Sequence, residues 1–285
     1  MTTRRVSVPH LKDLRQRGVK ATFVTAYDYP TAHFADRAGI DLVLVGDSAA
    51  MTVLGLPDTL GIGMSEMLVF ARAVARATSR ALVIGDMPFL SYQPSDAAAV
   101  RNAGAFLRAG CQAVKLEGGA RVARRVRAIA GAGIPVMGHL GLTPQSTNQF
   151  GGYRVQGKSR AEADRILDDG LRLQEEGVFA ILLEAMPAAA AGYVRDRLEI
   201  PVYGIGAGPL LDGQLLISHD MLGTFVGDIA PRFAKRYVDL GSTITEVFAA
   251  YAADVRAGRF PAPEHCYPID AAAEAELRGL CEAVS

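Results

Sequence analysis

The chain has 285 residues, half of them hydrophobic and 21% charged, and its 30 Lys and Arg balance 30 Asp and Glu. That much apolar surface can be buried against the entropy of ordering the chain, so one or two folded domains, or one large α/β barrel, are expected. Zero net charge, with no Lys/Arg cluster beyond pairs, argues against a nucleic-acid binder and against a protein held electrostatically on a membrane.

Short apolar runs recur along the chain, most of them followed by a helical pattern. In order they are 21–28 (ATFVTAYD), 41–48 (DLVLVGDS), 81–88 (ALVIGDMP), 113–119 (AVKLEGG), 135–143 (PVMGHLGLT), 179–187 (FAILLEAMP), 202–208 (VYGIGAG) and 223–229 (GTFVGDI). They are rich in Val, Ile and Leu without polar alternation, as strands buried on both faces of a parallel sheet are. Helical patterns fall at 30–38, 64–78, 95–109, 120–131, 159–176, 188–198 and 231–257. Ser95 and Ser159 read as N-caps, with Gly110 and Gly177 as the matching stops. Eight strands joined by helices predict a (β/α)8 barrel. The rival is a doubly wound open sheet, but Tyr27-Asp28-Tyr29-Pro30 follows the first strand where that fold wants a Gly-rich turn.

Cys111, Cys266 and Cys281 are too few and too scattered for a disulfide framework or a zinc site, which points to a reducing cytoplasm. The N-terminal stretch MTTRRVSVPHLKDLRQRG carries no apolar core and does not read as a secretory signal. No apolar run approaches the roughly 18 residues of a membrane span.

Barrel active sites lie at the C-terminal ends of the strands. There the runs end in Gly46-Asp47-Ser48, Gly85-Asp86, Lys115-Leu116-Glu117, Gly138-His139 and Glu184. Charged side chains interrupting apolar strands are costly to bury without partners. Asp47, Asp86 and Glu117 come from neighbouring strands, and hard oxygen ligands on a rigid rim suit Mg²⁺. Each of them could instead cap a helix. Lys115 and Glu117 are two apart and share a face, either as a structural ion pair or as a cation for a substrate carboxylate beside an acid. His139 lies among glycines that let a ligand approach. Glu184 follows Ala-Ile-Leu-Leu, and burial there would raise its pKa toward that of a general base or acid. Gly204-x-Gly206-x-Gly208 lacks the context of a dinucleotide fingerprint and can serve either phosphate contact or close packing.

These residues sit in stretches that resemble the ketopantoate hydroxymethyltransferase (3-methyl-2-oxobutanoate hydroxymethyltransferase) family. The stretches are TAYDYPTAHFADRAGID (25–41), LVGDS (44–48), GDMPFLSY (85–92), AVKLEGG (113–119), GHLGLTPQSTNQFGGYRVQGK (138–158), YGIGAG (203–208), DGQLLISHDMLG (212–223), KRYVDL (235–240) and AGRFPAPEHCY (257–267). The resemblance implies a barrel of the phosphoenolpyruvate/pyruvate type, a single domain over 1–285 with helical extensions at both ends. It implies Mg²⁺ at Asp47, Asp86 and Glu117, and a keto acid held by Asp47, Ser48, Asp86 and Lys115 with His139 nearby. It implies Glu184 as proton acceptor and 5,10-methylenetetrahydrofolate as one-carbon donor. The product would be 2-dehydropantoate, made through a Mg-stabilised enolate, in the first committed step of pantothenate synthesis upstream of coenzyme A.

The sequence departs from the family's usual pattern at Ala49-Ala50, at Gly61-Ile62-Gly63 and at Ala185-Met186. None of these removes a charged site residue. The alternatives are a lyase or mutase on a pyruvate-like enolate, against which the Lys-Lys-Cys-Gly-His hallmark of isocitrate lyase is absent, and a barrel that only binds a small acid. The tail AAAEAELRGLCEAV reads as an amphipathic helix with Leu277, Leu280 and Val284 near one face. The resemblance implies a homo-oligomer, often a decamer, with this end at an interface. With every group ionised, four carboxylates and one Lys make the pocket about −3, and about −1 with Mg²⁺ bound.

Overall fold

The structure, a computed structural model, describes residues 5–227 and 231–282, with side chains up to residue 279. The chain divides into two compact units, Met1–Tyr237 and Val238–Ser285.

The first unit is a closed barrel of eight parallel strands in sequential order. They are β1 (Ala21–Thr25), β2 (Leu42–Val45), β3 (Leu82–Asp86), β4 (Ala113–Glu117), β5 (Val136–Gly141), β6 (Ala180–Glu184), β7 (Val202–Ile205) and β8 (Gly213–Leu216), and β8 closes on β1. The barrel expectation therefore holds against the open sheet. Ser95 Oγ accepts the Ala98 N–H at 3.1 Å and Ser159 Oγ accepts that of Glu162 at 3.2 Å, so both N-caps form as read.

The eighth strand is not the expected one. Residues 224–227 form no strand, and 228 and 229 lie outside the described residues. The strand is instead GQLL at 213–216, reached from β7 without an intervening helix. It is four residues long with an exposed Gln214, so neither apolar density nor periodicity marks it. Its place is fixed by pairing with β1, in register from Ala21↔Gly213 through Val24↔Leu216. The expected helix 231–257 is likewise shorter, Leu240–Arg256.

Side chains alternate along each strand between the barrel interior and the surrounding helices. Val43, Val83, Val114, Leu116 and Leu183 face outward and join the helices in one apolar cluster. Leu42, Leu44, Leu82, Ile84, Ala113, Met137, Ala180, Leu182 and Tyr203 fill the interior with Val6, Leu11 and Leu14. The helix Val8–Gln16 thus contributes to the core inside the barrel. Inward parity continues up each strand and turns polar at the top. Leu82 and Ile84 lead to Asp86, Ala113 to Lys115 and Glu117, Met137 to His139, and Leu182 to Glu184.

The second unit contains the helix Leu240–Arg256, capped by Asp239 accepting the Ser242 hydroxyl at 2.9 Å, and the helix Ala271–Glu282. Tyr251 packs edge-on to Phe260 at 5.6 Å. Of the expected tail face, Leu277 is exposed, while the side chain of Leu280 and Val284 lie outside the described residues. Among the described residues no helix is long and apolar enough to cross a membrane.

Candidate active site

At the top of the barrel, strand register sets neighbours side by side, with Asp86 level with Lys115 and Glu117 level with His139. Asp47, Asp86, Lys115, Glu117 and His139 are each at most 4% exposed. Lys115 Nζ lies 2.8 Å from Asp86 Oδ1, 3.7 Å from Glu117 Oε1 and 3.2 Å from His139 Nδ1. His139 Nδ1 is 3.2 Å from Glu117 Oε1, and its Nε2 is 3.1 Å from Glu184 Oε2. Asp47 follows β2 and donates its N–H to Asp86 Oδ2 at 3.1 Å. Ser48 Oγ lies 2.8 Å from the hydroxyl of Tyr27. The tertiary structure thus gathers the charged site residues of the sequence reading into one contiguous cluster.

Glu184 stands at its edge with 16% of its side chain exposed, wetter than the apolar run before it suggests. Gly141 opposite it has φ +86°, and a Cβ there would sit 2.4 Å from the Glu184 carbonyl oxygen, so only glycine fits. Ala185, next to Glu184, takes φ 49°, which costs a non-glycine residue about 1 kcal/mol. It is held by its N–H on the Ile205 carbonyl at 2.9 Å and by the Gln156 N–H on its own carbonyl at 3.0 Å. A Cβ on Gly208, at φ +79°, would meet Ala188 at 2.3 Å, so close packing accounts for that glycine.

Charge and burial act in opposition here. Burial, then the charges of Asp86 and Glu117, push the Asp47 carboxyl well above the usual carboxylate range. Burial also raises Asp86, against the pull of Lys115. Burial would raise Glu117 too, but its hydrogen bond to His139 and the charges of His139 and Lys115 bring it below its ordinary value. Burial alone would lower Lys115, yet Asp86, Glu117 and Asp47 outweigh it and keep the ammonium charged. His139 is raised, because its two carboxylate neighbours exceed the effects of burial and of Lys115. The count of about −3 takes every group as ionised; burial of Asp47 and Asp86 opposes that charge.

Three partners in the cluster were not singled out from sequence. Gln145 donates Nε2 to Asp47 Oδ2 at 2.9 Å and its backbone N–H to Glu117 Oε2 at 2.9 Å. The Tyr92 hydroxyl lies 2.8 Å from Gln145 Oε1, and Tyr27 meets Ser48. All three lie inside the motif stretches, but nothing in a single polar or aromatic letter marks a cross-strand bond.

Donor chemistry fits a hard divalent cation. Asp47 is a buried carboxylate whose charge is disfavoured by Asp86 and Glu117, and burial disfavours that of Asp86 beside it, which a cation would relieve. Glu117 has both oxygens engaged by His139 and Gln145. Accordingly, no three His, Cys, Asp or Glu side chains among the described residues are grouped to hold an ion by themselves. Mg²⁺ commonly uses one or two carboxylates and completes its shell with water and substrate.

A closed parallel barrel with acids, Lys and His at the C-terminal rim is the architecture of a barrel enzyme. In fold it is similar to 2,3-dimethylmalate lyase, a PEP mutase/isocitrate lyase superfamily member, with TM-score 0.56 at 16% identity over 97% of this chain and 96% of that one. Residues 5–263 match the family model for ketopantoate hydroxymethyltransferase. The 3-methyl-2-oxobutanoate hydroxymethyltransferase of Syntrophobacter fumaroxidans is 51% identical over 97% of this chain and 98% of its own length. That of Moorella thermoacetica is 51% identical over 92% and 98%. The chain belongs to the ketopantoate hydroxymethyltransferase family.

Proposed function

We propose that this chain makes 2-dehydropantoate by adding a hydroxymethyl group to C3 of 3-methyl-2-oxobutanoate. The one-carbon unit comes from 5,10-methylenetetrahydrofolate, which leaves as tetrahydrofolate, and water supplies the hydroxyl oxygen. C3 gives up its proton and gains the carbon–carbon bond. The observation that carries this reading is the polar top layer of the barrel, where Glu184 lies across His139 from the Lys115–Asp86 pair.

Asp47 and Asp86 would hold Mg²⁺, with Glu117 completing that end of the site. The ion, when bound, supplies Lewis acidity for negative charge on the C2 oxygen. Lys115, kept charged by its three acids, offsets the substrate carboxylate. Ser48, held by Tyr27, orients the same group. Glu184 takes the C3 proton. His139, 3.1 Å from Glu184, stands beside that carboxylate and offsets its charge when the imidazole is protonated. The resemblance also implies a homo-oligomer, which exposed Val247, Phe248 and Tyr251 in the second unit support.

The test follows 2-dehydropantoate formation with and without Mg²⁺ and folate donor, together with exchange of the C3 proton into solvent. Glu184→Gln is expected to slow exchange by about 10²–10⁴-fold while leaving Mg²⁺ binding intact. Unchanged exchange removes Glu184 from the base role. Turnover that needs no folate redirects the whole reading to a lyase or mutase.

A further inference from the structure

We propose that Gln145 is a positioning residue for the cation, setting the Asp47 carboxylate that receives it. The assignment rests on the Mg²⁺ reading above.

Gln145 follows β5 in the single 3-10 turn Pro144–Ser146 and is buried. Every polar group of its side chain is engaged. One Nε2 hydrogen reaches Asp47 Oδ2 at 2.9 Å and the other the Met87 carbonyl at 3.0 Å. Oε1 faces the Tyr92 hydroxyl at 2.8 Å. The amide can therefore point only one way. Turned over, its oxygen would oppose the Asp47 carboxylate and the Met87 carbonyl, two acceptors without a proton between them.

Tyr92 is itself fixed. Its hydroxyl accepts the Glu117 N–H at 3.1 Å and lies 3.0 Å from the Glu117 carbonyl. The Gln145 backbone N–H meanwhile donates to Glu117 Oε2 at 2.9 Å. One residue thus ties the segments after β2 and β3 to the end of β4, and it holds one oxygen of each of two acids in the proposed site.

Packing does not impose this arrangement. Gln145, Tyr92 and Glu117 form one wall of a cavity of about 270 Å³ that Phe89, Arg121, Arg125 and Gln149 also line. Space on that side leaves the amide held by hydrogen bonds. It also leaves room for a substitution to be accommodated. Groups that orient a metal ligand from behind typically change affinity by about 10–100-fold when removed.

The experiment measures Mg²⁺ binding to the full-length protein by calorimetry, with the metal alone and no substrate. Gln145→Met keeps length and loses both donors, and its Mg²⁺ affinity is expected to fall about 10–100-fold. Tyr92→Phe keeps the ring and releases the amide oxygen and the Glu117 backbone while leaving both Nε2 donors in place, so a smaller loss in the same direction is expected. It carries the test if Gln145→Met does not fold. Because the effect runs through Asp47, Gln145→Met added to Asp47→Asn should weaken binding no further than Asp47→Asn alone. Unchanged affinity in folded Gln145→Met, or losses that simply add, overturns the assignment alone. A wild-type protein that binds no Mg²⁺ overturns the cation reading and this assignment with it. A lower melting temperature at unchanged affinity is the result of a purely structural role and also overturns it.

Discussion

At the N-terminal ends of the strands, Asp36, Asp41 and Asp212 meet donors on every side. Asp36 accepts the N–H groups of Ser79, Arg80 and Ala81 at 2.8, 3.0 and 2.7 Å, and Asp41 accepts Thr22 and pairs with Arg80 at 2.7 Å. Burial would raise both, but these donors reverse it and both carboxyls lie below their ordinary values. Asp212 takes the Val202 N–H at 2.8 Å and pairs with Arg15 and Arg195. At the C-terminal ends, Asp47 and Asp86 are buried more deeply and displaced in the opposite direction, because burial outweighs their donors and neighbouring acids add to it. One residue type holds the barrel together at one end and at the other stores unfavourable charge that a cation and a substrate can relieve. The side chain's neighbours decide which.

The largest effect expected from this contrast is at the base. Asp212→Asn removes the partner of two guanidiniums whose side chains are 16% and 29% exposed and should cost about 2 kcal/mol, discounting the buried-pair penalty for their solvent access. Thermal melting should fall by about 4–8 °C with kcat/KM unchanged. Lost activity with unchanged melting would break the division between the two ends.

The mouth should respond with the reverse sign. In metal-free buffer at neutral pH, Asp47→Asn should stabilise the protein by about 1–2 kcal/mol while abolishing the extra stability that Mg²⁺ confers on the wild type. A carboxyl whose folded pKa is raised costs nothing below its unfolded value near ~3.9, and costs more as pH rises through the folded value. The gain in the variant should therefore vanish on acidification. A destabilised Asp47→Asn would mean that the site is not strained.

The smallest effect is Asp36→Asn, about 1 kcal/mol of destabilisation at neutral pH. Here the folded pKa is depressed, so the contribution of Asp36 is complete above the unfolded value near ~3.9 and is lost as pH falls through the folded one. Denaturant melts of wild type and variant should run parallel from about pH 8 to 5 and converge toward pH 3. A gap that widens with acid would contradict the sign assigned to Asp36.

Much of the mouth was legible because strand parity is strict. Lys115 and Glu117 share a face by being two apart, and Asp86, His139 and Glu184 end inward-facing columns whose lower members are apolar. Composition could not locate β8. Four residues with one exposed glutamine carry little signal, and the strand exists because β1 and β7 each leave an edge to be paired. Gln145 and Tyr92 were equally silent, since their part depends on which carboxylate and which carbonyl lie within 3 Å.

The sequence by itself determined the parallel barrel, the rim where chemistry collects and the acids, Lys and His placed there. These follow from local apolar density and a two-residue period, which adjacent letters carry. Only the tertiary structure decided how those charges are shared: Lys115 among three acids, His139 between Glu117 and Glu184, and Asp47 under the Gln145 amide. Such sharing is set by distance and burial between strands far apart in the chain, and neither quantity is written in any short stretch of sequence.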